Sequence, residues 1–206
     1  MRRLPIIAAG VATVALAGTV IAVHAGSPQP EGVFDGLSTA TNNVAACSAI
    51  MGGGGLCNLS VHGTYITMGG QGAQANAALL GTGKYTGALT VNWATYGSNN
   101  GENCAQVSGT MTFTSGSSVL KTKLMTGTSP GSLICEVPES YNGFNRMGDY
   151  YDQVVSGTGK FKNIVPSSST VEFIVFSYAT LNGSQTATGV YLDQGNFGAG
   201  TQLVVG

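Results

Sequence analysis

The sequence predicts an all-β fold, a single-domain antiparallel barrel or sandwich with two disulfides. Three observations predict it. Apolar and polar residues alternate with period two in several segments. Clusters of glycine, asparagine and serine separate those segments, as turns do. Four cysteines, an even number, follow an apolar N-terminal stretch, which is typical of an exported and disulfide-bonded chain.

The N-terminal segment has the parts of a secretory signal peptide. Two arginines precede an uncharged apolar run, Leu4–Val23, and small residues close it at Ala25. This arrangement predicts a signal peptide over residues 1–25 that is cleaved after Ala25. The alternative is a retained anchor, because the run approaches the roughly 20 residues that span a bilayer. We therefore expect a secreted, extracellular or cell-surface protein.

The remaining chain has the length of one ordinary domain. Residues 26–36 contain three glycines and two prolines and have little apolar content, which predicts a flexible leader. Residues 37–206 then form the predicted all-β domain.

The chain carries little charge. It has eight basic and nine acidic side chains, a net charge of −1, and two of the basic residues lie in the predicted signal peptide. The six that remain form no basic patch in the sequence, so we expect no nucleic-acid partner. We expect no membrane partner after signal cleavage. Solubility then depends on serine, threonine, asparagine, glutamine and glycine.

The cysteines are Cys47, Cys57, Cys104 and Cys135, for which three pairings are possible. We favour Cys47–Cys57, because the loop between them is short and holds four consecutive glycines that let it fold back on itself. Cys104–Cys135 then follows by elimination. The spacing contains no C-x-x-C, which argues against a zinc or thioredoxin-like site.

Alternation marks the individual strands. It is clearest in Leu59–Tyr65, Val107–Phe113 and Val119–Leu124. The run Val171–Tyr178 is apolar at both parities, which predicts a central strand. Turn-forming residues lie between such segments, at Gly97–Gly101, Ser115–Ser117, Ser129–Gly131 and Asn182–Gly183. Helical character is thin: Gln71–Leu80 predicts two or three turns, and Asn145–Val154 predicts one.

A five-residue pattern occurs twice. Gly81–Tyr85 reads G-T-G-K-Y, and Gly157–Phe161 reads G-T-G-K-F. Each copy predicts a tight turn followed by a strand whose aromatic residue faces the core. A phosphate-binding loop is not predicted, because neither copy has the G-x-x-x-x-G-K-[ST] spacing.

The second copy carries a resemblance to a known family. Val155–Phe161 resembles the G-G-T-G-K-F segment of dirigent proteins and of allene-oxide-cyclase-like β-barrels. The resemblance covers seven residues, and the continuation Lys162–Pro166 departs from the family pattern. It implies a barrel that holds a small apolar molecule. It transfers no catalytic residue to this chain.

Catalytic groups are few. His62 is the single histidine after the predicted signal peptide, so a Ser-His-Asp triad would have to use it. No G-x-S-x-G elbow supplies a nucleophile. With one histidine, and with its cysteines in disulfides, the chain also has few ligands for a transition-metal site. We therefore expect no catalytic residue, no metal and no cofactor, and His62 is expected on the outer face of a strand.

The segment Glu136–Asp152 differs from the rest of the chain in its charges and aromatic rings. Its composition predicts a long functional loop. The alternative is a self-packed loop whose rings cover one end of the core. The expected binding residues, which combine aromatic rings with the only arginine after the signal, are Tyr141, Phe144, Arg146, Tyr150 and Tyr151.

Two functions fit these observations. The first is a non-catalytic extracellular binding or surface-assembly domain, with a protein or a glycan as the partner. The second is a barrel that binds or converts a small apolar molecule. The interior of the domain distinguishes them. An open apolar cavity lined by ionisable groups favours the second function, and a filled core with exposed sheet edges favours the first.

Overall fold

The structure is a computed structural model, and it describes residues 32–42, 47, 55–67, 78–99, 102–127, 131–136, 146–181, 187–198 and 200–206. The predicted signal peptide, residues 1–25, and residues 71–77 of the first predicted helical segment lie outside these ranges. In the part of the chain that is described, no helix is long and apolar enough to cross a membrane.

Nine antiparallel strands form the fold in the described part of the chain, which is therefore all-β as predicted. They are β1 (Gly32–Ala40), β2 (Leu56–Thr67), β3 (Thr82–Asn99), β4 (Glu102–Ser115), β5 (Ser118–Leu124), β6 (Leu133–Glu136), β7 (Arg146–Gly157), β8 (Thr170–Leu181) and β9 (Ala187–Phe197). Two short 3₁₀ turns, Gly159–Phe161 and Pro166–Ser168, lie between β7 and β8.

The strands close into a barrel rather than a sandwich. The order around the sheet is β3-β2-β1-β9-β8-β7-β5-β4, and β4 pairs with β3 to complete the circle. The short strand β6 lies between β4 and β7, beyond the end of β5. Together, β5 and β6 therefore occupy one strand position of the barrel. The result is a closed barrel with eight strand positions.

The alternation seen in the sequence sets the inner wall. Leu59, Val61 and Tyr65 of β2 are buried, whereas His62 between them is exposed. In β5 the buried residues alternate with exposed lysines in the same way. Between β4 and β5 the chain reverses in a two-residue turn, where Gly116 has a φ of +60°, a conformation that favours glycine.

Both predicted disulfides are confirmed. Cys47 is bonded to Cys57 at the start of β2, and Cys104 of β4 is bonded to its cross-strand neighbour Cys135 of β6. Both bridges lie at the same end of the barrel, where β2, β4 and β7 begin. We call this the polar end, because of the side chains described below.

The opposite end is filled by aromatic rings, and we call it the aromatic end. It is formed by Phe34, Tyr65, Phe113, Phe173 and Phe197. Their ring centroids lie 5.0–6.4 Å apart, mostly edge to face. The buried side chains of Leu80, Phe161 and Leu203 join the same core cluster. Such offset packing fills the barrel more closely than aliphatic residues would.

The predicted flexible leader is wrong over its last part. Gly32–Gly36 belong to β1 and pair with both β2 and β9. Gly36 lies opposite Gly63 in the ladder, and a Cβ at either position would collide with the Tyr85 hydroxyl. Gly36, one of the glycines that suggested a leader, therefore makes room for a buried tyrosine.

Three local predictions also need correction. Asn145–Val154 is not helical, because Arg146 onward forms β7. The first glycine repeat does lead into β3 with Tyr85 buried, but the second continues as a 3₁₀ turn rather than a strand. In a closed barrel β8 is no more central than its neighbours.

Candidate functional site

A small cavity lies inside the barrel at the polar end, and Phe34 and Phe173 of the aromatic end border it. It contains about 30 Å³ in which the centre of a water molecule can lie. Aliphatic and aromatic side chains make most of its wall, including Leu59, Val61, Met111, Ile134 and Val175. The polar residues that line it are Ser38, Tyr85, Arg146, Tyr150, Ser177, Tyr191 and Asp193.

Arg146 is the first residue of β7 and is only 4 % exposed. Its guanidinium lies 5.1 Å from the ring centroid of Trp93 and 5.2 Å from that of Tyr191. Its Nη2 donates a hydrogen bond of 2.7 Å to the carbonyl oxygen of Cys47. Its Nε is buried and has no hydrogen-bond partner among the described residues. The cation thus contacts two aromatic rings, and one of its buried donors has no acceptor in that part of the chain.

Asp193 occupies the inner face of β9 beside the cavity. The hydroxyls of Ser38 and Ser177 donate to its two carboxylate oxygens, one from each side. Burial raises the pKa of Asp193 to about 6, although these two hydrogen bonds oppose the shift. The carboxyl is therefore orientated by two neighbouring strands and titrates close to neutral pH.

Three tyrosines complete the polar lining. Burial raises the pKa of Tyr85 and Tyr150 well above the ordinary value, and the negative charge of Asp193 adds to both shifts. The hydroxyl of Tyr191 is buried and has no hydrogen-bond partner. At neutral pH Tyr85 and Tyr150 are protonated, so they can act as hydrogen-bond donors.

A second buried acid, Asp152, lies further along β7 toward the aromatic end. It is fully buried, and its carboxylate accepts a hydrogen bond from the Thr122 hydroxyl. Burial raises the pKa of Asp152 to about 7, against the effect of that hydrogen bond. It does not line the cavity.

The predicted binding loop is wrong from Arg146 onward, because these residues form β7. Arg146 and Tyr150 point into the barrel and line the cavity. Tyr151 lies on the outer side, where its hydroxyl donates to Glu172. Tyr141 and Phe144 lie outside the described residues. The structure thus brings two of the five predicted residues together, inside the barrel rather than on a surface loop.

Sequence reasoning missed Ser38, Ser177, Tyr191 and Asp193. A parity signal was present for all four. Tyr191 and Asp193 share the parity of the buried Phe197 along β9. Ser38 shares that of the buried Phe34 along β1, and Ser177 shares that of the buried Val175 along β8. Only strand register shows that they meet, because it sets Ser38 opposite Tyr191 and Ser177 opposite Asp193.

The outer wall offers little for metal chemistry. His62 is exposed on β2, on the face opposite Val61, as expected. Among the described residues, no group of three or more histidine, cysteine, aspartate or glutamate side chains is arranged to hold a metal ion.

Comparison of the chain with protein-family models, with curated proteins and with solved structures found no match.

Proposed function

We propose that the barrel binds a small, mainly apolar molecule in its interior, at the polar end. One observation carries this proposal: the cavity has an apolar wall into which a few orientated polar groups converge. Ligand sites typically combine these two features. Arg146, Tyr191 and Asp193 would orient the polar part of the ligand, and Val61, Met111 and Val175 would contact its apolar part.

The size of the cavity limits how the ligand can be held. A water molecule needs at least about 10–15 Å³ of such space, so the interior has room for about two waters. An organic ligand must displace them and push lining side chains aside. Met111 is suited to this, because its unbranched side chain adopts many rotamers at little cost. We therefore expect a compact ligand, and binding should expand the polar end.

Extracellular binding of a protein or a glycan, or assembly on a surface, remains a prediction from the sequence. The closed barrel limits which surfaces could make such a contact. Each of the eight strand positions has two neighbours among the described strands, so they offer no open edge for a further strand. Such a contact would have to use side chains of the outer wall.

We also propose that the domain works outside the cytoplasm, because disulfides persist in oxidising compartments. N-terminal sequencing of the exported protein tests this. The expected first residue is Gly26. Recovery of an intact form that begins at Met1 and stays bound to membranes would contradict signal cleavage.

The test of interior binding uses two phenylalanine variants. Val175→Phe fills the cavity, and the matched control Val155→Phe adds the same ring on the exposed side of β7. Both are titrated, alongside the wild type, with alcohols, ketones and carboxylates of three to eight carbons, and binding is followed by calorimetry. We expect at least one compound to bind the wild type and Val155→Phe, but not Val175→Phe.

Thermal melting of both variants checks that each is folded. If no compound binds the wild type, or if Val175→Phe and Val155→Phe bind equally, interior binding is wrong.

A further inference from the structure

We infer that the ligand of the interior site carries an anionic oxygen, of the carboxylate class, which Arg146 and Tyr191 bind together. This inference rests on the proposed function and adds to it the chemical class of the ligand's head group. It is argued from which polar atoms at the cavity already have partners and which do not.

Among the described residues, two residues that line the cavity have a buried polar atom without a hydrogen-bond partner. They are Arg146, whose Nε can only donate, and Tyr191, whose hydroxyl can donate or accept. The Arg146 guanidinium lies 5.2 Å from the Tyr191 ring centroid, so the two residues are in contact. The indole Nε1 of Trp93, whose ring centroid lies 5.1 Å from the same guanidinium, is a third buried donor without a partner in that part of the chain. Buried donors without acceptors are rare in proteins, so each calls for an explanation.

The carboxylate and carbonyl acceptors of the same site each accept a hydrogen bond already. Both oxygens of Asp193 accept from serine hydroxyls. The Cys47 carbonyl accepts from Arg146. A ligand head group that accepts hydrogen bonds would therefore satisfy donors that have no partner among the described residues, whereas one that donates would meet oxygens that already accept.

Charge favours an anion over a neutral acceptor. A guanidinium stays protonated in proteins, and burying it is costly unless a negative group lies nearby. Its hydrogen bond within the described residues goes to a carbonyl rather than to a carboxylate. A carboxylate ligand would supply the charge directly at the cavity.

The experiment compares carboxylates with primary alcohols of the same carbon number, from three to eight carbons. We expect carboxylates to bind the wild type at least about tenfold more tightly, because hydrogen bonds to charged groups are the stronger ones. Tyr191→Phe keeps the ring and removes only the hydroxyl. It should weaken carboxylate binding about tenfold and leave alcohol binding within about twofold.

Tyr65→Phe is the matched control. Its hydroxyl is also buried and unpartnered, but it lies at the aromatic end and does not line the cavity. This variant should bind carboxylates as the wild type does. Arg146→Met should abolish the preference for carboxylates, and its melting curve reports whether it is folded.

Equal binding of alcohols and carboxylates, or equal effects of Tyr191→Phe and Tyr65→Phe, would overturn the inference and leave interior binding standing. If no compound of either series binds, interior binding and this inference fail together.

Discussion

The two ends of the barrel share the same eight strand positions but are stabilised in different ways. At the aromatic end, Phe113 and Phe173 stack with centroids 5.2 Å apart, and the core is packed by rings. At the polar end, a cation, an acid and the Tyr191 hydroxyl, which has no partner among the described residues, surround a cavity, and both disulfides lie there. Covalent bridges therefore occur where side-chain packing is weakest.

The difference suggests that one end of the barrel stabilises the fold and the other binds a ligand. A close-packed aromatic core lowers the free energy of the folded barrel without leaving room for a ligand. Buried polar groups that lack partners raise that free energy, and proteins commonly tolerate them where they serve a function. The polar end is thus the part of the barrel where binding is expected, and the aromatic end is the part that stabilises the fold.

The largest effect is expected from reducing both disulfides. Loop-closure entropy assigns about 3 kcal/mol to Cys47–Cys57 and about 4 kcal/mol to Cys104–Cys135, whose sequence separations are 10 and 31. Thermal melting with and without reductant measures the total. Hydrogen exchange of the reduced protein should rise mainly in β6 and at the start of β2. A uniform rise at both ends would contradict the proposed difference between them.

Truncation of one side chain at each end should separate the two regions. Phe113→Ala removes a fully buried ring and should cost about 3–5 kcal/mol. Ile134→Ala should cost only about 2–3 kcal/mol, near the low end for such changes, because Ile134 already borders a cavity. Urea denaturation gives both values. Equal costs would mean that the polar end is packed as well as the aromatic end.

The pH dependence of stability should follow the buried acids. Burial raises the pKa of Asp152 to about 7 and that of Asp193 to about 6, from about 3.8 in the unfolded chain. The folded protein therefore binds protons more tightly, so stability is greatest below about pH 4 for these groups and falls as pH rises toward 7. Asp152 should contribute on the order of 2–4 kcal/mol of this loss.

Denaturation at pH 5 and pH 8 measures the effect, and Asp152→Asn and Asp193→Asn divide it between the two sites. Asp152→Asn should remove more of the pH dependence than Asp193→Asn. A wild type that is more stable at pH 8 than at pH 5 would show that these acids are ionised in the folded state at little cost.

The smallest effect concerns the two glycine repeats, which meet at the aromatic end. Lys160 Nζ, in the second repeat, donates to the Leu80 carbonyl oxygen at 2.7 Å and to Ser115 Oγ at 2.9 Å. Lys160→Met should cost about 0.5–1.5 kcal/mol, because these bonds are largely exposed to solvent. Lys162→Met, also exposed, serves as the control and should change stability by less. Equal effects would mean that the contact between the repeats adds no stability.

Much of the fold could be predicted from the sequence because most strands have one apolar face. The strand containing Leu59, Val61 and Tyr65 alternates cleanly, and the disulfides followed from loop length and an even cysteine count. Closure into a barrel could not be predicted. It depends on β3 pairing with β4 and on β1 pairing with β9. No single segment of the sequence shows a pattern that indicates these pairings.

The sequence did not indicate that β7 is a strand, because the inward-facing residues of this segment are not apolar. Its inward residues are Arg146, Gly148, Tyr150 and Asp152, so its inner face is polar and its alternation is hidden. The segment suggested a loop because the rule that places apolar residues inward fails where the interior holds polar groups. Sequence reasoning therefore failed at the residues that line the cavity and near it.

The central claim is that the polar end of the interior accepts a ligand and the aromatic end does not. Methyl-labelled protein, titrated with the tightest carboxylate of the panel and followed by NMR, tests it most directly. We predict that the methyl signals of Met111, Ile134 and Val175 shift, while those of Leu120, Val171 and Leu203 stay in place. Shifts confined to exposed methyls such as those of Ile66 and Val205, or shifts of equal size at both ends, would contradict the account.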